Sequence, residues 1–526
     1  MPTLPVQPAE FHVFDTSLRD GAQQEGLHLS VPDKLKIAGY LDELGVTFIE
    51  GGWPGANPAD TEFFQLAKEL GLKRSKLVAF GATRKPGGRA AEDALTRALV
   101  DAGTEYICIV AKSHDEHVSR ALRTTLEENL EMITDTVTYL RSQGRRVFVD
   151  CEHFFDGYRA NPEYAIKVVQ TAHDAGAEVV ILCDTNGGML PSWMGEVVAA
   201  AAATGANLGI HCHNDTACAV ANTMAAVEAG VMHVQGTFNG YGERTGNADL
   251  SAVIPNLQLK YGWQIMEPEQ LAELTRVAHA IALVAHQPLL GRQPYVGQSS
   301  FAHKAGLHAS AIKVDENLYQ HIDPALVGND MRMLISDMAG RANIQIKGEQ
   351  LGFDLNDREL AARITDVVKC REAEGYSYES ADASFEMLLR EQLGVLELPL
   401  EVHSWRVFTE ERDGVNTSEA TVKLTAKNVR QMVVGEGNGP VNALDDALRA
   451  ALIPAFPQVA EFELTDYKVR LLDEDHGTDA TVRTLIDTAY AGESWTTVGV
   501  GPNVIEASWE ALLDALAYGI MKHLDS

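Results

Sequence analysis

The chain has 526 residues, 45% hydrophobic and 22% charged, the balance of an ordinary globular protein rather than a disordered one. Its 43 Lys and Arg are outnumbered by 74 Asp and Glu, a formal charge of −31. That excess excludes general binding to nucleic acid or to anionic membrane, both of which need clustered cations.

No run approaches a membrane-spanning length of apolar residues, so no membrane partner is expected. The segment Met1–Glu10 has neither the basic start nor the apolar core of a secretory leader. The six cysteines form no C-x-x-C pair and fit a reducing compartment, so a cytoplasmic protein is expected.

Along the first 260 residues one rhythm recurs. Short β-rich runs end in polar residues: Phe11–Asp15, Phe48–Gly52, Leu77–Phe80, Tyr106–Val110, Val147–Cys151, Val179–Asp184, Leu208–His213 and His233–Phe238. Helical stretches such as Pro32–Leu44, Asn161–Ala175 and Asp215–Ala229 separate them. Apolar runs alternating with helices indicate parallel strands buried on both faces. Eight such units predict an α/β chain with a (β/α)8 barrel over residues 1–275. An open doubly wound sheet is the rival, but it does not need eight units. Residues 276–400 read as a helical linker region with Gly- and His-rich loops at Gly297–His308 and Asp337–Asn343. It is expected to pack on or near the barrel mouth.

Residues 401–526 change again. Trp405–Glu410, Glu419–Thr425 and Tyr467–Leu472 alternate like half-exposed strands. Gly439-Pro440 precedes a helical piece at Asn442, and Gly501-Pro502 precedes a similar one at Glu506, 64 residues on. A C-terminal α+β domain with an internal strand–strand–helix repeat follows. Its Gly-rich turns before helices could hold carboxylates.

The chemistry-bearing residues cluster at the predicted strand ends, where barrel enzymes place catalysis. His211-Cys212-His213 ends the seventh run. Residues two apart on a strand share a face, so the two imidazoles can share a metal while Cys212 points away. Asp20, in Leu18-Arg19-Asp20-Gly21 after the first run, can complete a set of two imidazoles and one carboxylate that leaves positions open for substrate. Arg19 beside it supplies a cation for a developing oxyanion. The glycine-rich loop Asn239–Asn247 offers the Asn247 carbonyl to the same ion. Trp53, His117, Glu152 and Thr185 project from other strand ends.

Together the L-R-D-G, H-C-H-N-D and N-G-Y-G-E-R-T-G-N segments resemble the metal-dependent Claisen-condensing barrel family that contains the isopropylmalate, homocitrate and citramalate synthases. The 34 residues from His213 to Asn247 fit the family spacing. The resemblance continues through Phe301–His308 and Leu318-Tyr319 of the linker, and through Gly435–Pro440 of the family's allosteric domain. Glu50–Pro58, Glu152–Tyr158 and Ser336–Asn343 look like its citramalate-synthase branch. Where some members of that branch have an Asp after the linker histidine, this chain has Ser310.

The resemblance implies that Asp20, His211, His213 and Asn247 bind a divalent ion (Zn, Mn, Mg or Co). It also implies condensation of acetyl-CoA with a 2-oxo acid, pyruvate in that branch and another 2-oxo acid in the isopropylmalate or homocitrate synthases. Arg19 would stabilise the alkoxide. Glu152, His308 and Tyr319 would supply base and acid, the last two from a partner subunit of a homodimer. Gln23, Thr185, Trp53 and His117 would contact substrate, with Trp53 and Tyr158 as walls that select a small 2-oxo acid. Isoleucine would be the feedback regulator. The barrel motifs also resemble 3-hydroxy-3-methylglutaryl-CoA lyase and biotin carboxyltransferases, but the long segment after the barrel and the absence of a biotin-attachment motif speak against both. An amino-acid sensor on a decayed barrel is the non-catalytic alternative, and the complete ligand set speaks against decay. Because the substrates are anions, a locally positive mouth is expected, with Arg84, Lys112 or Lys304 joining Arg19.

Overall fold

The structure, a computed structural model, describes residues 4–336, 338–472 and 480–523, so Asp337 of the Ser336–Asn343 segment lies outside the described residues. The chain divides into two compact units: residues up to 301 with 322–330, and residues 302–321 with those from 331 onward.

In the first unit eight parallel strands close into a barrel in sequence order. They are β1 (His12–Asp15), β2 (Phe48–Gly52), β3 (Lys76–Ala82), β4 (Tyr106–Lys112), β5 (Arg146–Glu152), β6 (Val179–Asp184), β7 (Leu208–Cys212) and β8 (His233–Gly236). Each occupies a predicted run, with ends shifted by a residue or two.

Two-residue periodicity separates two cores. On β5, Val147, Val149 and Cys151 face the surrounding helices, whereas Phe148 joins Phe14, Phe48, Tyr106 and Ile181 inside the barrel. On β7, Leu208, Ile210 and Cys212 face the helices, which turns His211 and His213 inward. The helix Val31–Leu44 starts at a reciprocal Ser30–Asp33 cap, and the helix Pro162–Asp174 has Asn161 as its cap and Pro162 in its first turn. The helix expected from Asp215 begins only at Ala219. Asn214 to Cys218 form a turn instead: Thr216 N–H donates to Gly187 O (3.1 Å), and the Asn214 side chain accepts from Ala219 N–H (3.1 Å).

The second unit carries a two-residue parallel pair, β9 (Ala302–His303) with β10 (Arg332–Met333). The helices Gly306–Ile312, Arg341–Gln350, Arg358–Ala373 and Asp382–Leu393 follow in the linker stretch. The C-terminal repeat is larger than predicted. Each copy is a three-stranded antiparallel sheet followed by a helix, not two strands and a helix. The first has β11 (Leu400–Arg412), β12 (Val415–Ala426), β13 (Val429–Gly437) and the helix Pro440–Leu452. The second has β14 (Glu463–Leu471), β15 (Val482–Tyr490), β16 (Glu493–Gly501) and the helix Val504–Lys522.

In β13 and β16 the glycine content hides the strand alternation. Those glycines serve packing. A Cβ at Gly435 would lie 2.3 Å from Ala447 N, and one at Gly499 would lie 2.1 Å from Ala507 O. Each helix therefore rests directly on its third strand. The two helices contribute to one core, and Trp405 of one copy meets Trp509 of the other at 5.3 Å.

Candidate active site and metal centre

At the carboxyl ends of the barrel strands, Asp20, His211 and His213 present three donor atoms that all lie within 4.8 Å of one another. Asp20 Oδ2 is 3.1 Å from His211 Nε2 and 3.8 Å from His213 Nε2, and all three residues are buried.

Burial pushes the Asp20 carboxyl up, but the Arg19 guanidinium and the hydrogen bond from His211 outweigh it and hold the group well below the usual carboxylate range. The two imidazoles diverge. Burial lowers His211, yet contact with Asp20 more than reverses it; His213 is pushed down to about 4, first by burial and then by the neighbouring His211.

Asn247 is paired with His213 across a β-bridge. Its Nδ2 donates to Tyr241 O (3.0 Å), while its buried Oδ1 has no hydrogen-bond partner. A buried carbonyl oxygen without a partner is costly. With two imidazoles and one carboxylate converging beside it, the donor set fits a divalent cation.

The loop carrying Asn247 is held by its glycines. Gly246 has φ +89°, and a Cβ there would sit 1.9 Å from Gly240 O. Below, the Asp15 carboxylate accepts from Ser17 N–H and Ser17 O–H, both at 2.9 Å, and from Phe238 N–H at 3.3 Å. One buried acid thus ties the first loop to the eighth.

Arg19 is held from two sides. Its Nε donates to Glu50 Oε1 at 2.5 Å, and its guanidinium lies 3.8 Å above the Phe80 ring. Burial raises the Glu50 carboxyl to about 7 even with the Arg19 cation against it. Trp53 meets Phe80 edge-on at 5.6 Å; its backbone N–H donates to Asp60, which also pairs with Lys34 at 2.5 Å. At the end of β5, Glu152 forms an ion pair with Lys112 from the end of β4. Thr185 Oγ1 accepts from His153 N–H (2.8 Å), which leaves its own hydroxyl proton to donate. His117 lies against His153 with ring centroids 4.1 Å apart and planes tilted by 59°, and burial together with that ring lowers its pKa. Gln23 is exposed on a short turn after Asp20.

Four expectations need revision. Tyr158 packs on Phe154 against the helix layer; the partly buried apolar side chains against the interior core are Trp53 and Val110. Arg84 is buried in ion pairs with Glu128 and Asp135, both at 2.7 Å. Lys112 and Lys304 are likewise paired, with Glu152 and Glu379. None of these three is an unneutralised cation, because each buried or half-buried ammonium or guanidinium needs a counter-charge. His308 and Tyr319, from the second unit, stack on one another with ring centroids 4.1 Å apart. Ser310 donates to Gly306 O one helical turn back (2.9 Å).

The sequence reading passed over Glu50, Phe80, Asp150 and Gln235. The signal for three of them was present: a polar residue inside an otherwise apolar strand run, with Asp150 two positions before Glu152 and therefore on the same face.

Comparison with known proteins agrees with this layout. Residues 10–281 match the HMGL-like family model, 295–374 the homocitrate synthase post-HMGL domain-like model, and 379–520 the LeuA allosteric (dimerisation) domain. The chain is 62% identical over 517 residues to an (R)-citramalate synthase of Streptomyces coelicolor, covering 97% of both chains. It is 47% identical over 516 residues to one of Aquifex aeolicus, covering 97% of this chain and 98% of that one. A 2-isopropylmalate synthase of Methanocaldococcus jannaschii is 28% identical over 515 residues, with 97% and 94% covered. With an HMGL-like barrel, the post-barrel segment, the LeuA domain and near-complete overlap at this identity, the chain belongs to the (R)-citramalate synthase family.

Proposed function

We propose that this protein condenses acetyl-CoA with pyruvate and water to citramalate and CoA, as the entry to a pyruvate route to isoleucine. The observation that carries the proposal is the convergence of Asp20, His211 and His213 next to Arg19 at the mouth of the barrel. A divalent ion (Zn, Mn, Mg or Co) held by Asp20, His211, His213 and Asn247 supplies Lewis acidity toward the 2-oxo acid.

In this reading Glu152 removes a proton from the acetyl methyl group, and the carbanion adds to the keto carbon. Arg19, fixed by Glu50 and Phe80, faces the oxygen that gains charge. The Thr185 hydroxyl, freed to donate by the His153 bond, takes the 2-oxo acid's carboxylate. Gln23 and His117 are assigned to substrate contact. His308 and Tyr319 are assigned to a partner copy's site as the acid that returns the proton. Water then cleaves the thioester and releases CoA. The corresponding division is a catalytic part to about residue 275, a linker to about 400, and a regulatory part that dimerises and takes isoleucine. No helix of the described residues is long and apolar enough to cross a membrane, and a cytoplasmic location is part of the same reading.

Trp53 and Phe80 stand as the walls against larger 2-oxo acids. Each extra methyl of 2-oxoisovalerate then costs about 1–3 kcal/mol of transition-state binding. Thiol release from acetyl-CoA by the metal-loaded enzyme, compared across pyruvate, 2-oxoisovalerate and 2-oxoglutarate, tests the assignment. Pyruvate is expected to be fastest; faster release with either competitor overturns it.

A further inference from the structure

We infer that Gln235 and Asp150 are positioning residues that fix the tautomer and orientation of His211 for metal binding. The inference rests on reading Asp20, His211 and His213 as metal ligands, and it concerns groups behind that set.

Gln235 sits on β8 directly across from His211 on β7 in the strand register. His211 Nδ1 lies 2.8 Å from Gln235 Oε1, and Gln235 Nε2 lies 3.0 Å from Asp150 Oδ1. All three residues are buried, Gln235 completely. The amide nitrogen of Gln235 donates to Asp150, and its carbonyl oxygen faces His211. That carbonyl is an acceptor, so the proton on His211 resides at Nδ1. Nε2, 3.1 Å from Asp20 Oδ2, is then the nitrogen open to a metal ion. A proton bridges this pair in the absence of metal, and a divalent cation would take its place.

A polar chain of this length inside an apolar barrel is tolerated because each member is hydrogen-bonded to the next. Its neighbours in the interior are Phe14, Phe80, Phe148 and Ile181, any of which shows that the space could be filled by hydrocarbon. Groups that orient a metal-bound imidazole through its second nitrogen typically change metal affinity about 10–100-fold when removed.

The test is a calorimetric titration of metal-stripped protein with Mn2+, without substrate. Gln235→Leu removes the acceptor and is expected to weaken binding at least about 10-fold. Asp150→Asn keeps an acceptor for Gln235 Nε2 and so keeps the Gln235 carbonyl opposite Nδ1, and it is expected to stay within about 3-fold of the unmodified protein. Equal affinity in a folded Gln235→Leu protein overturns the inference, as does an Asp150→Asn protein as weak as Gln235→Leu. Should Gln235→Leu not fold, nitrogen NMR of the 15N-histidine-labelled full chain decides: a protonated Nδ1 on His211 is expected, and a proton on Nε2 in the metal-loaded protein overturns it. Asp20→Ala serves as the control that separates the two readings. If it binds Mn2+ as well as the unmodified protein, the ligand set itself is wrong; if it loses binding while Gln235→Leu does not, only the relay is wrong.

Discussion

Asp15 shows how far one buried side chain can be displaced from its solution behaviour. Burial drives its carboxyl from 3.8 to about 7, although bonds from Ser17 and Phe238 pull the other way. A folded-state pKa above the unfolded value means that the native protein favours the protonated form. The stabilisation is complete below pH 3.8 and is lost as the pH rises through about 7. Asp15→Asn is neutral throughout and lacks this loss. Between pH 5 and pH 8 the urea midpoint of the unmodified protein should therefore fall more than that of the variant, and denaturation curves at the two values check it.

The same logic explains why Arg19 is a reliable charge. Glu50 and Asp20 flank it and raise its pKa further, against the effect of burial. It is therefore cationic at every accessible pH, and its direction is set by Glu50 and the Phe80 face.

Among the elements, the loop after β8 has the strictest conformational demand. Gly246 combines a left-handed backbone with a carbonyl only 1.9 Å from where a side chain would begin. Gly246→Ala should lose at least about 2 kcal/mol of stability, from the left-handed strain and the displaced carbonyl together. Because Asn247 follows directly, metal affinity should drop with it. A thermal melt and a metal titration on the same preparation check both halves.

The strand ends were legible because the interior face of a barrel strand shows its polar residues against an apolar background. That is how His211, His213, Glu152 and Thr185 stood out. The third strand of each C-terminal copy was not legible. β13 is exposed along much of its length and uses glycine where a helix must press close, so neither burial nor alternation marks it.

For the whole molecule, the proposed sharing of sites between copies has a sharp consequence. An Asp20→Ala protein and a His308→Ala protein should each be nearly inactive alone. Mixed after dissociation and reassociation, half the dimers would be mixed, and each mixed dimer would hold one intact site. About a quarter of the unmodified rate should return if assembly is random and twofold symmetric. No recovery would place His308 in the same subunit's site as Asp20, and a fully active His308→Ala protein would place it outside catalysis.

The net charge of −31 takes on a narrower meaning at this scale. The basic residues expected to make the mouth positive are already matched by acids: Lys112 by Glu152, Arg84 by Glu128 and Asp135, Lys304 by Glu379. Arg19 is itself bound to Glu50. A basic rim made of these residues therefore supplies no free charge for an anionic substrate; in the proposed reading the ion that Asp20, His211 and His213 would hold supplies it.

The amino-acid sequence by itself determined the barrel, the repeated C-terminal unit and the inward-facing residues at the strand ends, because two-residue and helical periodicities are local and survive without tertiary contacts. Tertiary structure alone decided which polar groups meet. Gln235 reaches Asp150 across 85 residues of chain, Arg19 meets Glu50 and Phe80 from three different strand ends, and Arg84 turns toward Glu128 and Asp135 instead of the mouth. Such pairings depend on closure of the barrel, which brings distant strands to one axis. Spacing along the chain carries no record of that distance.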